Sequence, residues 1–399
     1  MIIGPVMIGA GIYGLCEIAG KEVVARVRKK KHKEEKPLTI TEQYTQLFEN
    51  LGLMSTKKGD WIKCYGVEEK EFYSRVKFTI SDTLSIGTFK KAAETLREKL
   101  KVINFEVYEE KGYMYFRSRC ENLPVIPYKF RKTPKHLIPL GLDLDQEVVY
   151  WDIKKDPHQM LVGASNSGKS NELNTEIDHI VHNIVNPKLF LIDLKFGLEF
   201  GVYKNMRNVV AYAQELKDAP KVLQAFEDEA DNRYRKLSEE GYREYNKYIA
   251  DKPNCSMRRA FLIIDEFVDL MKLSGGKDEY DAMDVLVNLS RKCRAVGMHI
   301  ILAAQRATVD SLNPSVKANI SCILGMKTVN EHNSRLIIDG PGLEILKIGE
   351  CIGVVGSEKK FFKGFYIEDE TIEATVKEFE KMEPIPQKQT ASNPLKVVK

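Results

Sequence analysis

A mostly parallel α/β sheet covered by helices on both faces is the fold that this 399-residue sequence predicts. Three observations carry that expectation. Short apolar runs recur near residues 160, 190, 209, 262, 301 and 322. Helical spacing fills most of the intervals between them, as it does where each crossover returns the chain to the same sheet edge. Two of the runs end in acids, Asp193 and Asp265-Glu266, which is how a strand buried on both faces delivers carboxylates to its carboxyl edge.

The run near 160 sets the chemistry. Met160-Leu161-Val162 leads into Gly163-Ala164-Ser165-Asn166-Ser167-Gly168-Lys169-Ser170, and a helical stretch follows through about Asn183. Strand, G-x-x-x-x-G-K-S, helix is the context of a phosphate-binding loop. Its glycines let the backbone curl so that successive N–H groups converge on phosphate oxygens, and the helix adds its positive dipole end. Lys169 is then expected on the β- and γ-phosphates of ATP, with the Ser170 hydroxyl on Mg²⁺. In Ala260 to Phe267, A-F-L-I-I-D-E-F, Asp265 is expected in the Mg²⁺ shell and Glu266 beside the attacking water. The strand Met298 to Ala304 ends at Gln305-Arg306, where an amide next to the two carboxylates would sense the γ-phosphate or the water. Arg291, Lys292 and Arg294 lie on the predicted helix from Leu289 to Val296. They read either as an arginine finger reaching a neighbour's ATP or as a solvated basic face. The fold expected is a P-loop NTPase of the RecA-like kind, and the activity is ATP hydrolysis.

Composition constrains less. Hydrophobic residues at 43% and charged residues at 30% describe a folded soluble protein rather than a disordered one. A net charge of +4 is silent about partners, because steering depends on where charge sits. The cysteines (Cys16, Cys64, Cys120, Cys255, Cys293, Cys322, Cys351) never form a C-x-x-C pair. They argue for reduced thiols in a cytoplasmic body rather than zinc or disulfides. His179 and His182 share a predicted helix face but lack a third ligand.

Residues 1–20 are almost continuously apolar, interrupted by Glu17. As a helix they would rise about 30 Å, the thickness of a bilayer's hydrocarbon core. The basic run from Arg26 to Lys33 follows the apolar stretch, the reverse of a secretory signal. It matches a membrane anchor with its carboxyl side in the cytoplasm; a buried or amphipathic terminal helix is the other reading. Residues 21–37 form a charged linker. Residues 38–134 read as a small α/β domain: a helix from Thr39 to Leu53, a strand from Phe72 to Thr79, a helix from Ser85 to Leu100, and a hairpin from Asn104 to Arg119 turning at Lys111-Gly112. It holds no catalytic constellation and reads as a packing or oligomerisation module. Residues 135–380 form the ATPase domain, and 381–399 a polar tail.

Taken together, the segments from about Lys135 to Gly356 resemble the FtsK/SpoIIIE family of DNA-pumping ATPases. His158-Gln159-Met160-Leu161-Val162 leads into the phosphate loop as that family's H-x-L-V-x-G does, and Ile192-Asp193-Leu194-Lys195 is similar to its I-D-P-K. Ile263 to Leu270 resembles I-D-E-F-A-D-L, and Arg294 to Arg306 resembles R-A-x-G-I-H-L-I-L-A-T-Q-R. Lys317-Ala318-Asn319 and Asn333-Ser334-Arg335 are similar to its K-A-N and D-S-R elements. The resemblance implies a homohexameric ring with ATP between subunits and double-stranded DNA in the pore. It also makes Arg294 the arginine finger and Gln305 the sensor. The module before the ATPase domain distantly resembles its counterpart in relatives from mobile elements. Departures are Ser165-Asn166 for the usual Thr-Gly, and Ala304 and Ala307 around Gln-Arg. Only a short tail follows about Glu380, so no winged-helix domain is expected.

The functional expectation is therefore an ATP-dependent DNA translocase of a plasmid, conjugative element or phage, a cytoplasmic motor that could be membrane-anchored and feed DNA to a transfer channel or relaxase. Pore residues are sought in the polar loop from Lys272 to Tyr280. A type VII-like protein-secretion ATPase and a DNA-associated ATP-binding switch are the alternatives.

Overall fold

The computed structural model describes residues 61–85, 106–119, 122–273, 281–306, 317–355 and 358–381, with a few positions between 42 and 59 and at 87–88. The apolar run 1–20, the linker 21–37, most of the two helices predicted before the hairpin, the loop 274–280 and the tail from 382 lie outside the described residues. No helix among the described residues is long and apolar enough to cross a membrane.

A four-stranded antiparallel sheet comes first, from β1 (Ile62–Glu69), β2 (Tyr73–Ile80), β3 (Glu106–Glu110) and β4 (Tyr113–Arg119), in the order β1-β2-β4-β3. The predicted strand and hairpin are β2 and β3-β4. Lys111 and Gly112, both at positive φ, make the tight turn whose twist suits a hairpin. β1 was not expected, because Cys64, Gly66 and Glu68 blur its alternation and a register shift falls between Cys64 and Gly66. One face of this sheet buries Cys64, Val76, Phe78, Met114 and Phe116 with Phe48.

The large sheet runs β10-β9-β11-β12-β8-β13-β14-β15-β6-β7. Its parallel half is β8 (His158–Val162), β9 (Lys188–Asp193), β10 (Val209–Ala213), β11 (Ala260–Asp265), β12 (Met298–Ala304) and β13 (Cys322–Met326). All six apolar runs read from the sequence are these strands. The antiparallel half was not anticipated: β6 (Leu137–Leu142), β7 (Val148–Asp152), β14 (Glu350–Val355) and β15 (Glu358–Tyr366). Pro139 and Gly141 interrupt β6, Gly353 interrupts β14 and Gly364 interrupts β15, and glycine and proline weaken a strand pattern read locally. Their pairing is set by contacts distant in sequence. β5 (Ile126–Pro127) adds to β15, so the large sheet takes up the chain from Ile126 onward.

Alternation along the parallel strands divides the core in two, because successive side chains point to opposite faces. Met160, Phe190, Ile192, Leu262, Ile264, Ile300 and Leu302 meet α2 (Ala219–Glu239), α3 (Tyr245–Asp251), α4 (Ala282–Lys292) and α5 (Glu331–Ile338) on one side. Leu161, Leu189, Leu191, Phe261, Ile263 and Ile301 meet α1 (Lys169–Asn183) and α6 (Asp369–Glu378) on the other. Every residue of β8, β11 and β12 is buried, which explains the apolar runs Met160–Val162, Ala260–Ile264 and Ile300–Ala304 within them.

Gly297 shows how closely the layers pack. It starts the turn into β12 at φ +68°, its carbonyl accepts from Arg233, and a Cβ there would overlap the Tyr245 ring. Gly297→Ala is expected to lower the unfolding free energy by about 2–4 kcal/mol through overpacking and backbone strain. Urea denaturation should show a lower midpoint at unchanged slope; an unshifted midpoint would show that Tyr245 yields freely.

Candidate active site

The phosphate loop is stapled to three neighbours. The Gly163 N–H donates to the Ala304 carbonyl (3.1 Å), the Ala164 N–H to the Lys327 carbonyl (2.8 Å), and the Gly349 N–H to the Ser167 carbonyl (2.8 Å). A Cβ at Gly163 would lie 2.8 Å from Met326 Cβ, and one at Gly168 (φ +103°) would lie 3.0 Å from the Gly349 nitrogen. Only glycine fits either position. Asn166 takes φ +60°, a left-handed conformation that asparagine tolerates better than most side chains. The departure at this position is thus conformationally sound. Ser165 and Asn166 are exposed, Ser167 is buried, and Lys169 and Ser170 open α1.

At the carboxyl edge of β11, Asp265 is fully buried between two ammonium groups, Lys169 Nζ at 2.6 Å and Lys195 Nζ at 2.7 Å. Lys195 follows β9, the strand paired with β11 in the register Asp193 to Asp265. Asp193 itself is consumed locally: its carboxylate accepts from the backbone N–H groups of Lys195, Glu199 and Phe200 at 2.7–3.0 Å. It fixes the loop that aims Lys195. The sequence flagged Asp193-Lys195 as a charged strand edge without assigning Lys195 to the site; its approach to Asp265 depends on strand order.

Glu266 leaves β11 at φ +63°, a conformation that costs about 1–3 kcal/mol outside glycine and clusters at functional sites. The strained turn swings its carboxylate onto the Gln305 backbone N–H, at 3.0 and 3.2 Å from its two oxygens. Burial raises the Glu266 carboxyl above the ordinary range, opposed by that N–H and by Lys169 and Lys195. Gln305 follows β12, the strand adjacent to β11, and is partly exposed. The structure therefore brings Lys169, Asp265, Glu266 and Gln305 to one sheet edge.

Arg294 is elsewhere. It is exposed in the 3-10 turn Cys293–Val296, before β12, whereas Gln305 follows β12. The 7 residues of that strand, at about 3.3 Å each, put roughly 23 Å between the two ends. Arg294 cannot serve its own phosphate loop. At this amino edge His158 donates from Nε2 to the Ser290 carbonyl (2.9 Å) and accepts from the Ile300 N–H (3.1 Å), while burial lowers its pKa to about 4. A neutral, doubly bonded imidazole thus ties β8 to α4 and β12. His179 and His182 bond to Thr133 and to the Asp178 carbonyl, and no group of potential metal ligands occurs among the described residues.

Two further features lie beneath the loop. Glu172 and Glu176 project from α1 and are buried (2% and 0% exposed); the Gln159 amide donates to Glu176 at 2.8 Å. Burial holds both carboxyls well above the usual range, Glu172 also feeling Glu176. Arg119, at the end of β4, approaches Glu350 (3.4 Å) and the Ile345 carbonyl (3.4 Å). The small sheet thereby touches the segment whose Gly349 supports the phosphate loop. Neither feature has a motif that sequence reading could have found.

The residues present fit Mg-ATP. Gly163 and Gly168 let the loop pack closely on Met326 and Gly349, Lys169 opens the helix that follows, and Ser170 and Asp265 supply the hydroxyl and carboxylate oxygens that Mg²⁺ prefers. Fold and site together define an ATPase of the P-loop class. Residues 127–309 match the model of the FtsK/SpoIIIE family. The DNA translocase FtsK of Oceanobacillus iheyensis is 32% identical over 263 residues, covering 61% of this chain and 33% of the relative. That of Bacillus anthracis is 31% identical over 260 residues, covering 61% and 32%. The chain thus spans about a third of the length of these relatives. Among solved structures, the pCW3 conjugation coupling protein TcpA, in a monomer form with ATPγS, aligns with TM-score 0.59 at 20% identity, covering 84% of this chain and 98% of that one. The cytoplasmic domain of the Thermomonospora curvata type VII secretion ATPase EccC aligns with TM-score 0.54 at 22% identity, covering 65% and 32%. These structures establish the shared fold.

The buried acids give a pH signature. A carboxyl raised in the folded state binds its proton more tightly there than in the unfolded chain, so folding is favoured by protonation. For Glu176 the stability is complete below about pH 4.5 and is lost as pH rises toward about 8. Glu176→Gln should flatten the decline in melting temperature across this window. An unchanged decline would mean that other groups carry it.

Proposed function

We propose that the chain is a DNA translocase motor that hydrolyses ATP at subunit interfaces of a ring, acting on double-stranded DNA in plasmid, conjugative-element or phage DNA transfer. The observation that carries this reading is the convergence of Lys169, Asp265, Glu266 and Gln305 at one sheet edge while Arg294 stands at the other. In the proposed mechanism the phosphate-loop amides and Lys169 neutralise the β- and γ-phosphates, leaving Asp265 paired to Lys195. Ser170 and Asp265 would hold Mg²⁺, which supplies charge neutralisation to the leaving phosphates. Glu266, held by the Gln305 N–H, accepts the proton of the attacking water, its raised pKa improving it as a base. Gln305 senses the γ-phosphate, and Arg294 reaches the ATP of the next subunit.

A ring gives two exposed features a purpose. Phe196 and Leu198 are 83% and 84% exposed on the loop fixed by Asp193, beside Lys195. Apolar side chains so placed would be covered by the adjoining subunit, which joins subunit contact to the nucleotide site. The small sheet forms part of the accessory module, with the large sheet from Ile126 as the motor. The DNA translocase relatives favour DNA as the substrate. Binding in a pore would act mainly on phosphates and be salt-sensitive.

Steady-state ATPase rates with and without linear duplex DNA test the reading, with Lys169→Ala as blank. DNA should raise the rate several-fold in the wild type alone; hydrolysis indifferent to DNA would instead indicate a protein substrate. Glu266→Gln should cut turnover by about 10²–10⁴ while ATP binding persists. Arg294→Ala should lower DNA-stimulated turnover by about 10³ or more and be restored by mixing with subunits that supply the arginine. Wild-type turnover by Arg294→Ala would remove it from the mechanism.

A further inference from the structure

One face of the four-stranded sheet packs on its own core, and the other carries alternating rings and cations. Along β1, Trp61, Lys63 and Tyr65 alternate with the buried Ile62 and Cys64. Beside them, Lys77 of β2 and Tyr113 of β4 occupy the same face. Lys63 Nζ lies 5.2 Å from the centre of the Tyr65 ring, Lys77 Nζ 3.7 Å from that of Tyr113, and the two tyrosine rings meet edge to face at 5.4 Å. Trp61 and Tyr65 are 49% and 50% exposed.

Charge divides the face. Arg75 is ion-paired to Glu68 and Glu110, and Arg117 to Asp145 of the ATPase domain. No carboxylate partners Lys63 or Lys77 among the described residues. The half of the sheet away from the motor thus offers aromatic planes and uncompensated ammonium groups within a few ångströms of one another. Rings stack on bases only where bases are unstacked from their own neighbours, and lysines beside the rings serve the intervening phosphates. A duplex keeps its bases stacked and would have no use for the rings. An apolar peptide would have no use for the lysines.

We infer that this face binds single-stranded nucleic acid, with bases on Trp61 and Tyr65 and phosphates at Lys63 and Lys77. The site lies outside the ATPase domain and does not depend on the translocase reading.

The chain's two tryptophans make the test direct, since Trp151 is fully buried and quenching by a bound strand reports on Trp61. The full chain is titrated with an oligo(dT) of about 20 nucleotides, longer than the ~4–16 that comparable single-strand sites span. Saturable quenching is expected, weakened about tenfold in Tyr65→Ala, consistent with loss of one stacked base, and retained in Tyr65→Phe. Lys63→Gln should reduce the slope of log affinity against log salt by about 0.7. Unquenched Trp61, equal affinity of Tyr65→Ala, or equal affinity for a duplex of the same length would each overturn the inference. DNA-stimulated ATPase in Tyr65→Ala, expected to match wild type, separates failure of this site from failure of the motor.

Discussion

The site depends on a buried carboxylate shared by two lysines. Asp265 lies at the carboxyl edge of a fully buried strand, and such a charge is tolerated only when paired. Lys169 and Lys195 supply the pairing from different strand ends. The arrangement explains why β9 must neighbour β11 and why Asp193 is spent on holding a loop. Lys195 is also paired with Glu199 at 3.5 Å, so the two ammonium groups are balanced by carboxylates, and the lysines are held in place by these pairs. A lysine that leaves Asp265 for a phosphate does not strand the carboxylate, because Lys195 remains.

The second constraint is the rigidity of the loop around that charge. Its backbone bonds reach β12, the end of β13 and the segment before β14, so the parallel and antiparallel halves of the sheet both hold it. Around the site, Asn166, Phe196 and Glu266 take positive φ. Asparagine meets the left-handed conformation with little penalty, whereas glutamate does not. The Glu266 geometry is upheld by the Gln305 N–H, which directs the carboxylate along the edge rather than out to water. Through Arg119 and Glu350 the small sheet is joined to the same supports. The accessory sheet is thus mechanically connected to the nucleotide loop.

Much of this was legible in the residues. The parallel strands stood out because burial on both faces, complete in β8, β11, β12 and β13, makes an apolar run, and the phosphate loop because its chemistry demands glycine, lysine and serine at fixed spacing. Asp265, Glu266 and Gln305 followed from their places at strand ends. The antiparallel strand β7 was missed although its sequence V-V-Y-W-D carries no glycine or proline. The antiparallel strands β6, β14 and β15 were not legible, since Pro139, Gly141, Gly353 and Gly364 interrupt them. β1 escaped for a similar reason, its register shift breaking the alternation.

The sequence by itself determined which strands are buried, where phosphate would sit and which side chains could do the chemistry, because these follow from local pattern and residue type. Only the tertiary structure decided that Lys195 pairs with Asp265 and that Glu266 is held by the Gln305 backbone. It also decided that lysines and aromatic rings share one face of the small sheet. Each of these rests on strand order or register, and proximity across a sheet is a property of the folded chain that no local spacing encodes.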